Sequence, residues 1–289
     1  SPPQTPVGAA MLARVNVAQG NAQAAHTVLA PLWRKAVMSA DDEQAIISEF
    51  GSLLTADDHF HRMSAMLYAE RPASAGRVAK LANSEPLFAA WSAAIRKDAK
   101  TAGFVKVVPA EAQKLAGYQF AKALWLRKTG KLKDAAKVMA EAPQDAASLI
   151  DPDAWWNERR ILARSLWDAG QTKLAYKTAS MHAAQSPTDA AEAEFHAGWI
   201  ALRGLKDTKL GEAHFTRLLS ISTTPQSLSR GYYWLGRSIA ASSRDPADAY
   251  RRAAHYGTTF YGQLAAAKIG ASKLEISTPA PSPVEIKQF

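Results

Sequence analysis

The segment Asp57-Asp58-His59-Phe60-His61 holds the densest group of potential metal ligands in the chain. Carboxylates and imidazoles together suit a divalent ion, but on a helix His59 and His61 stand about 200° apart and cannot both face it. The segment therefore reads as a solvated helix start with Asp57 or Asp58 as its cap, and no metal is expected. His182, His196, His214 and His255 are scattered and read as half-buried helix positions. Two acid pairs, Asp151/Asp153 and Glu192/Glu194, have the residue type for glycosidic bond cleavage, which needs one carboxyl held protonated. At i, i+2 on a helix they diverge, and each falls at an expected helix start, where negative charge complements the dipole.

Aromatic and basic residues gather in Trp155-Trp156-Asn157-Glu158-Arg159-Arg160 and in Arg230-Gly231-Tyr232-Tyr233-Trp234. Exposed aromatics stack on sugar rings or bases, and arginines hold carboxylates or phosphates in forked pairs. One aromatic of each adjacent pair must face a neighbouring helix, so only part of each cluster is free to bind. The candidate binding residues are Trp155, Trp156, Arg159, Arg160, Arg230, Tyr233 and Trp234. Elsewhere the chain has no Gly-Lys-Ser/Thr phosphate loop, no GxGxxG, no GxSxG, no HExxH and no Ser three residues before a Lys. No cofactor is expected. The absence of cysteine excludes a disulfide framework, an Fe–S cluster and a cysteine nucleophile, and leaves the redox compartment open.

The elements that must position these residues are helices. The 289 residues include 59 alanines, about a fifth of the chain, which favours helices and their close packing. Turn-like breaks fall at Gly20, near Asp57, near Ser84, and at Gly130, Gly170, Asp207 and Asp245. The last four are spaced by about 40 residues, the period of stacked helix hairpins. Leu228, Tyr232, Leu235 and Ile239 fall at i, i+4, i+7 and i+11 on one helix face, and Ala191, Phe195, Gly198 and Leu202 repeat that spacing. Pro143, Pro187, Pro225 and Pro246 sit between or just inside helices, with Ser186 and Asp245 placed to cap. The β-branched run Phe104-Val105-Lys106-Val107-Val108-Pro109 reads as an extended connector. These patterns predict an all-α right-handed superhelix, a tetratricopeptide-like solenoid of about seven hairpins over 1–272. A proline-rich extended linker over 273–289 would follow, pointing toward a further domain.

The net charge of +9 attracts polyanions: nucleic acid, anionic lipid or an acidic wall polymer. No stretch has the ~18 apolar residues of a membrane span, so no membrane insertion is expected. The start Ser1-Pro2-Pro3-Gln4-Thr5 lacks the basic and then apolar pattern of a signal peptide and reads as a processed end.

The run from Asp151 through Trp155-Trp156 to Arg160, and Ala193-Glu194-Phe195-His196-Ala197-Gly198-Trp199, resemble the helical region of soluble lytic murein transglycosylases. Ser229-Arg230-Gly231-Tyr232-Tyr233-Trp234 and Thr258-Thr259-Phe260-Tyr261-Gly262-Gln263 are similar to its later segments, over about residues 115–272 in all. The resemblance implies a non-catalytic ring of helix hairpins in the periplasm, ahead of a lysozyme-like catalytic domain. That catalytic domain carries a Glu-Ser motif and forms 1,6-anhydro sugars. No Glu-Ser dipeptide occurs in these 289 residues, so no catalytic residue is assigned and the chain alone is not expected to be an enzyme. The resemblance implies peptidoglycan glycan strands, and no nucleic acid, as partner, held by the seven candidate residues. The alternative is a helical-repeat scaffold for a protein of the cell envelope.

Overall fold

A computed structural model describes residues 3–271. The described residues are all-helical, with 17 α-helices, 74% helix and no strand. They form two compact units: 1–170 with 181–184, and 171–180 with the residues from 185 onward. The proline-rich stretch 273–289 lies outside the described residues.

The first unit contains α1 (Pro6–Ala18), α2 (Ala22–Lys35), α3 (Ala40–Phe50), α4 (Ala56–Tyr68), α5 (Pro72–Val78), α6 (Glu85–Arg96), α7 (Thr101–Val107), α8 (Ala116–Lys128), α9 (Leu132–Glu141), α10 (Ala146–Leu149) and α11 (Pro152–Asp168). The second contains α12 (Thr172–Ser180), α13 (Pro187–Ile200), α14 (Thr208–Ile221), α15 (Pro225–Ala241), α16 (Ala247–Ala254) and α17 (Phe260–Lys268). Within each unit a helix packs mainly on the next one or two along the chain, α1 on α2, α8 on α9, α13 on α14 and α14 on α15. The alanines make this close: Ala9, Ala13 and Ala25 are wholly buried, as are Ala90, Ala121 and Ala135. Gly20, Gly130 and Gly170 end three helices in the left-handed region (φ +74°, +80° and +71°), which glycine adopts without a Cβ penalty.

Caps follow side-chain chemistry. Ser186 accepts from the Asp189 amide with Pro187 in the first turn of α13, and Asp151 accepts from the Ala154 amide at the start of α11. The expected cap of α4 is corrected. Thr55 caps it, in a reciprocal box in which the Asp58 carboxylate accepts from the Thr55 amide at 2.8 Å. Asp58 is buried, not solvated, and also accepts from Arg34 and meets His26. Within the 104–108 run, residues 104–107 are helical and only Val108, just past the helix end, is extended. Val105 is buried in α7, with its carbonyl accepting from the buried Tyr118 hydroxyl, so tertiary packing overrides β-branched propensity.

Candidate functional site

In the second unit α15 is clamped through small residues. A Cβ on Gly231 would lie 2.7 Å from Leu218 and Leu219 of α14, and one on Gly236 would lie 2.7 Å from the Tyr250 ring of α16. That close approach fixes the rotation of α15 and brings Arg230, Tyr233, Trp234 and Arg237, at i, i+3, i+4 and i+7, onto one face.

The face is a stack of guanidinium groups and rings. Arg230 lies over Phe195 of α13, 4.4 Å from its centroid, and Trp234 stands edge-on to Phe195 at 6.2 Å. Arg237 lies 5.5 Å from the Trp234 centroid and 5.8 Å from that of Tyr233, whose hydroxyl accepts from Arg237 Nη1 at 3.1 Å. Tyr233 is buried against Tyr250 and Tyr261, so it supports the face from beneath. Burial lowers the Arg230 pKa, with Tyr261 and Glu192 partly offsetting it. Neither Arg230 nor Arg237 pairs with a carboxylate among the described residues. Arg230 Nε and Trp234 Nε1 are buried without an acceptor. Two cations without a carboxylate partner beside aromatic rings form a surface for an anionic group carried on an apolar ring face.

The remaining candidates fall in the first unit and lie mostly in its core. Trp155 and Trp156 are fully buried and Arg159 is 1% exposed. Trp155 donates from Nε1 to the Tyr68 hydroxyl at 2.9 Å, Arg159 donates to the Met139 carbonyl at 2.8 Å, and Trp156 meets His182 edge-on. Burial lowers the Arg159 pKa to about 10. The expectation that these three contact a strand is corrected: on α11 their positions face neighbouring helices, and they offer no surface to a ligand. Arg160 is half-buried and donates to Asn157. Phe195 and Arg237 are not among the seven candidate binding residues that the sequence suggests. The i+7 spacing from Arg230 could have flagged Arg237, whereas Phe195 comes from another helix.

Glu192 and Glu194 lie inside α13, not at its start. Glu194 meets His214 Nδ1 at 2.6 Å and accepts from Arg217, and His214 Nε2 meets the Tyr176 hydroxyl at 3.0 Å. Both ring nitrogens are thus occupied on a residue only 3% exposed, and the chain of groups ties α12, α13 and α14 together. The described residues contain no group of three or more potential metal ligands, and no helix is long and apolar enough to cross a membrane. Compared with protein-family models, curated proteins and solved structures, the chain gives no match.

Proposed function

We propose that this chain is the non-catalytic helical module of a periplasmic peptidoglycan lytic transglycosylase, holding murein glycan strands for cleavage by another domain. The helices are read as tetratricopeptide-like hairpins of a right-handed superhelix, in keeping with packing between near neighbours in the chain and with breaks about 40 residues apart. The observation that carries the reading is the α15 face, where Arg230 and Arg237 lie over Phe195 and Trp234 without a carboxylate partner among the described residues. Murein combines pyranose ring faces with acidic peptide stems, and this surface offers a counterpart to each. The net charge of +9 adds a long-range attraction.

The test is co-sedimentation with purified murein sacculi at low and moderate salt, with the supernatant assayed for anhydro-muropeptides. Pelleting that weakens with salt and falls about tenfold in Arg230→Gln/Arg237→Gln, without released sugar, is the expected result. Failure to pellet at either salt overturns it.

A protein-binding scaffold is the second reading. It is favoured by α1, whose outward side carries Val7, Met11 and Val15, each at least half exposed, at i, i+4 and i+8. A saturable envelope-protein partner with indifference to sacculi would establish it.

A further inference from the structure

The first unit contains a cavity of about 160 Å³ among α4, α6, α8 and α11. At the ~10–15 Å³ one water needs, that is room for about ten water-sized groups. Tyr68, Phe120 and the carboxyl of Glu158 form its buried floor, and Glu70, Arg127 and Asn157 reach it from the rim.

The polar groups of the cavity compensate one another. Glu158 is 4% exposed and receives both Nε and Nη2 of Arg127. Burial raises the Glu158 pKa, against the lowering effect of Arg127 and Lys128, while Lys128 donates to the Ile95 carbonyl at 2.9 Å. Two hydrogen-bonding capacities are left over. Arg127 Nη1 has no acceptor among the described residues, and Asn157, whose Oδ1 takes a bond from Arg160, has its Nδ2 hydrogens unpaired. Each carboxylate oxygen of Glu158 keeps a second lone pair, and Glu70 adds an exposed carboxylate.

An incoming carboxylate would be attracted by Arg127 and repelled by Glu158 beside it. An incoming ammonium would be attracted by Glu158 and Glu70 and repelled by Arg127 beside them. A hydroxyl escapes both penalties, because one oxygen accepts from Arg127 Nη1 while its hydrogen is donated to Glu158. Several hydroxyls on one ring would use the remaining donors and acceptors, and the ring's C–H faces would lie on the apolar floor.

We infer that this cavity is a binding site for one neutral hydroxylated ring, a pyranose, held between the Arg127–Glu158 pair and Asn157. The site is separate from the α15 face and belongs to the other unit, so each stands or falls alone.

The experiment is calorimetric titration of the full chain with the neutral N-acetylglucosamine trimer, in wild type, Asn157→Ala, Asn157→Trp and Arg230→Gln/Arg237→Gln. Asn157 is exposed, so its variants retain the fold, checked by circular dichroism. Expected is saturable, salt-insensitive binding, weakened about tenfold in Asn157→Ala, abolished in Asn157→Trp and unchanged in the arginine variant. No binding by wild type overturns the inference, as does binding that Asn157→Trp leaves intact. Acetate and methylammonium are titrated in parallel, and saturable binding of either without the trimer assigns the cavity to an ion and equally overturns it. Loss of sacculus pelleting in the arginine variant, with trimer binding retained, separates the two sites.

Discussion

The Arg62 guanidinium lies over the Trp33 ring, 4.5 Å from its centroid, and donates to the Trp33 carbonyl at 2.7 Å. The same buried guanidinium donates to Glu43 at 2.6 Å, and Glu43 also takes both forks of Arg77. One carboxylate therefore joins α3, α4 and α5, while the Arg62 charge is fixed out of water.

Glu43→Ala removes the partner and leaves that charge buried, so it is expected to lower the unfolding free energy by about 3–5 kcal/mol in urea titration. Glu43→Gln, which keeps an acceptor, is expected to cost less. Equal losses in both variants would show that the charge of Glu43 is irrelevant.

Asp58 governs acid stability. Burial pushes its carboxyl up, but bonds from the Thr55 hydroxyl and amide, from His26 and from Arg34 together hold it well below the usual carboxylate range. The folded pKa is lower than the unfolded one, so this contribution is full above the unfolded value of about 4 and is lost as pH falls below it. Thermal unfolding between pH 7 and pH 3 is expected to fall more steeply in wild type than in Asp58→Asn. Parallel slopes would remove Asp58 from the acid response.

Trp155 is a structural group, not a binding one. Tyr68→Phe deletes the acceptor of its indole N–H and is expected to cost about 1–3 kcal/mol. Sacculus binding by the folded protein is expected to stay unchanged. Trp234→Leu is expected to do the reverse, weakening pelleting more than stability. A binding loss in Tyr68→Phe at full folding would contradict this division.

Gly262 admits no side chain. A Cβ there would lie 2.0 Å from the Tyr256 carbonyl oxygen, a backbone atom that cannot rotate away. Gly262→Ala is expected to cost at least about 1–3 kcal/mol and to raise amide exchange across α17. Gly103→Ala, where a Cβ meets nothing within 4 Å, serves as the neutral control.

Much of the helical punctuation is legible in the sequence, because glycine at the end of a helix and Ser or Asp at its start act through local chemistry. Gly130 and Gly170 with positive φ, and Asp207 accepting from the Leu210 amide, stand at expected breaks. Burial is less legible. The stripe Leu228, Tyr232, Leu235 and Ile239 is only half-buried, whereas the buried positions of α15 are Tyr233 and the small residues Ser229, Gly231, Gly236 and Ser238. Small residues leave no hydrophobic signal, although close helix approach selects them. The same limit explains Trp155 and Trp156: adjacent tryptophans look like a ligand platform, but two neighbouring helices can absorb both. Arg230 over Phe195 joins residues 35 apart on different helices, and no local pattern carries that pairing.

Packing between near neighbours along the chain also sets the kinetics of folding. Ordering α13 against α14, or α1 against α2, requires closing only a short loop, so little entropy is lost before the first stabilising contacts form. The Tyr68–Trp155 bond, spanning 87 residues, is a late event on such a route. Native structure can therefore begin to form at more than one of these local helix pairs.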